Sequence, residues 1–415
     1  MPLLWTGHVL VCVILGGALE TTAIGIWWIL LSCLAVGAGA ALGDRSTKGR
    51  ACFSPPIPLS YRSMIVDFTS VRKFILIGSV IGSLYCFSLI RFFGTGIPGS
   101  GNDLATFSRR VSLDRYSQGA SAHTLPMTFL SMALFLSPAL AGLMVGLRGF
   151  RKAWVLTCVA FFPSALNVFL QTTRSSLAYS GFIFVATWWA SGVYSGRSLT
   201  QKGLARSVAV FALSLSVVVP VVLIAEDLRL GKLPTIESLL EHAGSERTMA
   251  TYFAHVAAFS AWFDTYLGEP SNPTFGSLTF SGPLKLLGIA ARRPGIYQEA
   301  FISHGGLVQT NIYTVWRGLV EDFTAPGSLA VLFVAGAVGG AAFGRVANGK
   351  RFGVPVLIVF YSFWLNFVVS VFVYNTLIFS YVALGVFWWM QGRRAARRHN
   401  AHDRRVGDLC VLSQR

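Results

Sequence analysis

Charged residues are scarce in this chain: they make up 12% of its 415 residues, against a hydrophobic share of 53%. Soluble domains carry roughly twice that charge density, and so few charges cannot coat several soluble domains. The composition also excludes a disordered chain, a collagen-like repeat and a small disulfide scaffold. The sequence therefore predicts a polytopic, all-α integral membrane protein rather than a water-soluble enzyme.

Cysteine and metal-ligand patterns are rare as well. The six cysteines fall in apolar stretches or in basic connections, and no CxxC spacing occurs, so we expect neither an outer disulfide nor a zinc site. The outer carboxylates form adjacent pairs, Glu226-Asp227 and Glu321-Asp322. Neighbouring residues of a helix point about 100° apart, so each pair is a poor chelate. No metal and no other cofactor is expected.

Ten apolar stretches are long enough, or nearly so, to span about 30 Å of hydrocarbon. They cover residues 3–19, 22–42, 74–90, 127–147, 153–170, 176–194, 207–225, 328–344, 354–374 and 376–391. If connections alternate sides from a cytoplasmic N-terminus, 22 of the 34 Lys and Arg residues fall inside. This is the positive-inside pattern, and it accounts for the net charge of +17 without a nucleic-acid partner. Both termini are expected in the cytoplasm.

Two long outer connections organise the chain, at residues 91–126 and 226–327. They predict an N-terminal bundle of seven spans (1–225), a large outer loop (226–327), three further spans (328–392) and a basic tail (393–415). The tail can bind anionic lipid headgroups. Within the large loop, aromatic and apolar residues recur at helical spacing, at Tyr252, Val256, Phe259, Phe263, Tyr266 and Leu267. The helix that they predict either lies on the outer bilayer face or packs on the spans.

The predicted spans lack ionisable residues near their centres. Ion-coupled transporters place such groups at membrane depth, so a pump or an antiporter is disfavoured. The polar candidates lie outside instead. Arg174 occupies a tight turn between two predicted spans, where its guanidinium can bind a pyrophosphate bidentately or reach lipid headgroups.

A second polar segment, QTNIYTVWRGLVEDF at residues 309–323, precedes the eighth predicted span. Its pattern predicts a helix on which Arg317 and Glu321 share a face. As an exposed ion pair they would add little stability. Asn311, Thr314 and Arg317 follow at intervals of three and can line one polar stripe.

This segment resembles a known family. The run TNIYT (310–314), Arg317, the pair Asp322-Phe323 and Gly327 resemble the signature before a late span of bacterial oligosaccharide repeat-unit polymerases, the O-antigen polymerase or Wzy-type family. Residues 276–280 (GSLTF), the turn 173–175 and the plan of many spans with one large late periplasmic loop resemble the same family. That family tends to place Gly after Asp-Phe, where this chain has Thr324.

The resemblance implies a metal-independent glycosyltransferase of the bacterial inner membrane with a GT-C-like fold. Such enzymes transfer a glycan from undecaprenyl pyrophosphate to a new lipid-linked repeat unit at the periplasmic face, which builds O-antigen, capsule or exopolysaccharide. Implied partners are undecaprenyl-pyrophosphate-linked glycans, membrane lipids, and a chain-length regulator and flippase of the same pathway. An O-antigen ligase is the alternative, and a flippase or exporter is a second one.

The resemblance and the chemistry together select candidate site residues. A departing pyrophosphate favours arginines: first Arg174 and Arg317, then Arg247, Arg292 and Arg293. An acceptor hydroxyl favours a general base, and the sequence does not rank His304, His255, Asp264 and Asp322. Glycan contacts are expected from Asn311, Tyr313, Thr314 and Trp316.

Overall fold

Helices make up most of the residues that the computed structural model describes. It describes residues 22–48, 66–92, 106, 125–171, 174–196, 220–228 except 222 and 226, 232–289 except 245, 297, 301–302, 309–310, 313–366 and 369–413. The helices in these ranges are α1 (Ala23–Lys48), α2 (Phe68–Phe92), α3 (Leu125–Arg148), α4 (Trp154–Gln171), α5 (Arg174–Tyr194), α6 (Ile236–Gly244), α7 (Glu246–Gly268), α8 (Ser281–Leu286), α9 (Val315–Ala347), α10 (Gly353–Leu365) and α11 (Asn375–Ser413). Short 3-10 helices occur at Phe150–Lys152 and Val371–Val373. Two-residue strands, β1 (Phe301–Ile302) and β2 (Gln309–Thr310), pair antiparallel.

Four of these helices are long and apolar enough to cross a membrane. The crossing segments are Ala23–Thr47, Phe68–Ser88, Pro126–Arg148 and Val315–Ala347, and shorter apolar helices cover Trp154–Leu170 and Gly353–Leu365. The helical membrane architecture is therefore observed at this coarse level. The predicted span 3–19 and most of span 207–225 lie outside the described residues, so the number of ten remains a prediction.

The predicted span boundaries differ most from the helices at three places. α9 begins at Val315 rather than at residue 328 and includes the polar segment before that point. α10 ends at Leu365, because Asn366 adopts φ −96° and ψ 75° outside the helical region. The described part of the predicted span 354–374 thus contains a short α-helix and, after it, the 3-10 helix Val371–Val373. α11 continues beyond residue 391 to Ser413.

Two apolar clusters hold the helices together. The larger cluster joins α2, α3, α4 and α5 to α10 and α11, with Ile75, Leu140 and Ile183 fully buried. The second joins α1, α7 and α9 around Trp28 and Trp316. The candidate site described below lies on the second cluster.

Helices α1 and α9 form a close, glycine-lined contact. A Cβ at Gly336 would overlap the backbone of Val36, and one at Gly340 would overlap that of Ala40. Further glycines on the same contact, each four residues from the next on its helix, are Gly39, Gly43 and Gly344. Small residues at this spacing let membrane helices approach closely. Since Val36 meets Gly336 and Ala40 meets Gly340, the two helices run parallel.

The two ends of the bundle differ in charge. At one end, which we name the loop end, Thr22 before α1 bonds to Ser260 of α7, and α9 begins nearby. At the other, the basic end, Trp388 Nε1 donates to the Arg351 carbonyl over 2.8 Å and Arg148 lies 3.5 Å above the Phe68 ring. Described basic residues cluster here, at the helix termini that hold Arg45, Arg72, Lys73, Arg148, Arg151, Lys152, Arg345, Lys350, Arg351, Arg393, Arg394 and Arg397.

Candidate functional site at the start of α9

The first turns of α9 present two neighbouring polar faces. Thr314 is extended, with φ −72° and ψ 160°, so the helix begins at Val315. Residues four apart lie on one face of a helix. Arg317 and Glu321 therefore share one face, while Thr314, Gly318 and Asp322 follow along the adjacent face.

Arg317 is enclosed by aromatic rings. Its guanidinium carbon lies 3.8 Å from the ring centre of Tyr297, 4.3 Å from that of Tyr313 and 4.9 Å from that of Trp262. Its Nε donates to Glu321 Oε1 over 2.8 Å, and the side chains are only 7% and 16% exposed. The sequence pattern is compatible with an exposed pair that contributes little, but the pair is largely buried, so the charges interact more strongly than at a surface.

Tyr297 completes this enclosure. Burial raises the pKa of its phenol, the carboxylate of Glu321 raises it further, and the nearby Arg317 guanidinium lowers it in part. The net direction is upward, so the phenol keeps its proton at neutral pH and can donate a hydrogen bond. Its ring also packs edge-on against Tyr313, with centroids 5.1 Å apart.

Asp322 attaches a distant segment to α9. Its Oδ1 accepts from the Thr274 hydroxyl over 2.5 Å and from the Leu278 N–H over 3.0 Å, and its Oδ2 accepts from the Thr279 N–H over 2.7 Å. The carboxylate is fully buried. Since both oxygens bind the protein itself, the geometry makes Asp322 a positioning residue for the segment 274–280, and not the group for proton transfer that the sequence suggested.

The segment 274–280 turns sharply and then reaches the irregular chain after α10. Phe275 and Gly276 have φ values of +49° and +89°, a region that glycine adopts without strain. The Thr279 carbonyl accepts from the Ser370 hydroxyl over 2.8 Å. In α8, a Cβ at Gly282 would lie 2.7 Å from Asn375 Oδ1. The segment therefore joins α9 to the chain between α10 and α11.

Trp316 and the aromatic stripe of α7 belong to the core. Trp316 is fully buried, with ring centroids 6.1 Å from Trp28 and 5.6 Å from Trp364. The indole packs in the core of the second cluster, and the glycan contact expected for Trp316 stays a prediction. Phe259 and Phe263 of α7 are buried against the same cluster. Of the two positions considered for the loop helix, packing on the spans is the observed one.

The remaining described candidates lie on α7 and at the start of α9. His255 is buried on α7, about two turns before Trp262. Asp264 is partly exposed, and its Oδ1 is buried with no hydrogen-bond partner within the described part of the chain. Tyr313 contacts Arg317, and Thr314 is buried at the helix start.

Several candidates cannot be placed. Arg174 begins α5 and Arg247 lies in α7, but their side chains lie outside the described part, as do residues Arg292, Arg293, His304 and Asn311. A shared pyrophosphate site of Arg174 and Arg317 therefore stays a prediction. Among the described residues, no group of three His, Cys, Asp or Glu side chains could hold a metal ion.

Two contributors were missed by sequence reasoning: Trp262 and Tyr297, whose rings lie around Arg317. The spacing of four did indicate the Arg317–Glu321 pair. Nothing in the sequence indicates the two rings, because they come from separate parts of the large loop.

No protein-family model, curated protein or solved structure matches the chain. The site is interpreted from its own residues and geometry.

Proposed function

We propose that the chain is a bacterial inner-membrane glycosyltransferase with a GT-C-like fold that polymerises undecaprenyl-pyrophosphate-linked repeat units at the periplasmic face. One observation carries the proposal. Two of the segments that resemble repeat-unit polymerases, 276–280 and 310–323, are separated in the sequence, yet Asp322 binds the N–H groups of Leu278, 44 residues away, and Thr279, 43 residues away. If the two motif segments form one site, we expect them to be in contact, as they are at the buried carboxylate of Asp322.

The backbone at Thr324 gives further support. This is the position where the family tends to have glycine. Thr324 adopts φ +64° and ψ 169° inside α9, a conformation that is almost restricted to glycine. The local geometry is thus the one that the family's residue would satisfy.

The chemistry of the site fits glycosyl transfer. An acceptor hydroxyl attacks the anomeric carbon, the bond from that carbon to the phosphate oxygen breaks, and the hydroxyl proton passes to a base. Negative charge grows on the departing pyrophosphate, and a fixed cation there stabilises the transition state more than the ground state. We assign this role to Arg317, whose guanidinium is fixed by three rings and by Glu321. His304, His255 and Asp264 remain the candidate bases.

The charge asymmetry of the bundle supports the orientation. With the basic end in the cytoplasm, the helices obey the positive-inside rule, and the start of α9 faces the periplasm, where the lipid-linked acceptor is expected. A periplasmic reporter fused after Lys285 should be active. Activity of a cytoplasmic reporter at that point would contradict both the orientation and the site.

The function is tested by deleting the gene and complementing it. Loss of a polymerase leaves a single repeat unit on the surface, loss of a ligase leaves bare core with lipid-linked polymer, and loss of a flippase accumulates lipid-linked units on the cytoplasmic side. Arg317→Lys should restore polymer only in part, because an ammonium keeps the charge and loses the bidentate fork. Lys285→Gln, which removes an exposed charge of the same loop, is the matched control and should restore polymer fully. Bare core in the deletion strain would favour the ligase.

A further inference from the structure

Two hydroxyl groups converge on one point of α9 beside Arg317. A Cβ placed on Gly318 would lie 3.7 Å from Thr279 Oγ1 and 3.7 Å from the Tyr297 hydroxyl oxygen. These are ordinary contact distances, so packing does not require glycine there. The Tyr297 ring that carries this hydroxyl also lies 3.8 Å from the Arg317 guanidinium carbon. The point at Gly318 therefore adjoins the arginine site.

The Thr279 side chain is buried with its hydroxyl unbonded among the described residues. Its side chain is 2% exposed, and within the described part of the chain its Oγ1 has no hydrogen-bond partner. The backbone of the same residue is fully used, since its N–H binds Asp322 and its carbonyl binds Ser370. Buried hydroxyls are nearly always hydrogen-bonded, and an unpaired one destabilises the fold.

Thr314 repeats the pattern one helical turn before Gly318. It is 1% exposed, and its Oγ1 also lacks a partner within the described residues. Thr314 occupies the N-cap of α9, where a threonine hydroxyl usually accepts a hydrogen bond from a backbone N–H of the first helical turn. The Thr314 side chain makes no such capping hydrogen bond. Thr314 at the start of this face and Thr279 packed against it thus both have hydroxyls that no group in the described part of the chain binds.

We propose that the hydroxyls of Thr279 and Thr314, together with the Tyr297 phenol, bind hydroxyl groups of the sugar that is attached to the pyrophosphate at Arg317. This inference rests on the proposed function, because the pyrophosphate defines which sugar reaches the site. A sugar hydroxyl both donates and accepts, as each threonine hydroxyl does. The protonated phenol of Tyr297 adds a donor. The charged face of α9 then binds the phosphates, and the adjacent face selects the sugar.

Stability measurements separate this role from a structural one. Thr279→Val keeps the side-chain shape and removes only the unpaired hydroxyl, so the melting temperature of the purified protein should stay equal or rise. Thr274→Val is the matched variant, because the Thr274 hydroxyl donates to Asp322 over 2.5 Å, and its melting temperature should fall. A fall for Thr279→Val as large as that for Thr274→Val would overturn the proposal.

Binding measurements test the ligand. The probes are inorganic pyrophosphate and lipid-linked oligosaccharide extracted from the deletion strain. Thr279→Val should bind pyrophosphate like wild type and the lipid-linked oligosaccharide about tenfold more weakly, as expected for one lost hydrogen bond. Gly318→Ala, whose added methyl meets the Thr279 and Tyr297 hydroxyls at ordinary contact distance, should fold normally and show the same selective loss.

The outcomes distinguish this inference from the proposed function. If wild type binds both probes, and Thr279→Val and Gly318→Ala bind the oligosaccharide as tightly as wild type does, the proposed sugar site is wrong while the arginine site stands. If wild-type protein binds neither probe, the proposed function fails and this inference fails with it. If Thr279→Val weakens the binding of pyrophosphate and of the oligosaccharide equally, the sugar inference is also overturned, because the threonine would then act on the phosphates.

Discussion

Replacing Arg317 by Met should separate its role in folding from its role in activity. Met fills similar space and is apolar, so the aromatic enclosure keeps a packing partner. The Arg317→Met variant leaves Glu321, whose side chain is 16% exposed, without its arginine partner. Breaking a buried ion pair costs about 3–5 kcal/mol, and the remaining exposure of Glu321 reduces this to about 2–3 kcal/mol. Loss of the cation–π contacts of Arg317 with the three rings adds about 1 kcal/mol to this destabilisation.

A second substitution, Glu321→Gln, should restore most of that stability, because it removes the buried carboxylate that has lost its arginine. It should not restore polymer, because the cation at the leaving group is still missing; a loss of about 2–4 kcal/mol of transition-state stabilisation lowers the rate roughly 30- to 1000-fold. Unfolding of the purified variants in detergent gives the stabilities, and the polymer ladder in the complemented deletion strain gives the activity. Polymer from the double variant would refute the role of Arg317 in binding pyrophosphate. A single variant as stable as wild type would refute the energetic argument for the pair.

Three further substitutions test other features of the structure. Thr324→Gly should raise the free energy of unfolding by about 1 kcal/mol, because it relieves backbone strain at φ +64°. Thr324→Ala should not raise it. Equal thermal unfolding of the glycine and alanine variants would mean that the strain is negligible. Gly340→Ala should destabilise the protein by about 1–3 kcal/mol, because the methyl overlaps the Ala40 backbone. Gly181→Ala, whose methyl meets no described atom within 4 Å, is the control in the same denaturation assay and should leave the stability unchanged. Asp322→Asn should lower activity and weaken the protection of the Leu278 and Thr279 amides from hydrogen exchange. The reason is that the hydrogen bonds from these two N–H groups lose a charged acceptor. Unchanged protection of the two amides would contradict the positioning role of Asp322.

The sequence predicts the apolar helices well and their ends less well. Residues 127–147 were expected as a span, and α3 covers Leu125–Arg148. Hydropathy reports where a helix is apolar, but α9 begins with the polar turns around Arg317 and Glu321, which no hydropathy window includes. Conversely, the apolar run 354–374 continues past Leu365, where Asn366 ends the helix. Apolar character alone cannot distinguish helix from buried irregular chain.

The site was predictable only where its partners are close in sequence. The spacing from Arg317 to Glu321 indicates their contact directly. The rings of Trp262 and Tyr297 reach Arg317 through the fold of the large loop, so no local pattern reveals them. Asp322 illustrates the opposite case: its residue type suggested a base, and only its three hydrogen bonds identify it as an anchor for residues 274–280.

The glycine-lined contact of α1 with α9 has a consequence for biogenesis. Its two halves are encoded about 300 residues apart, so a ribosome must insert α1 long before its partner exists. During that interval the glycine face of α1, with Gly39 and Gly43, is exposed to lipid or to the insertion machinery, while α2 to α5 can already pack on one another. Closure of the bundle is then a late event, and a chain arrested before residue 340 presents an unpaired glycine face that membrane quality control can recognise. Assembly of the arginine site waits for that same step, because α9 carries both.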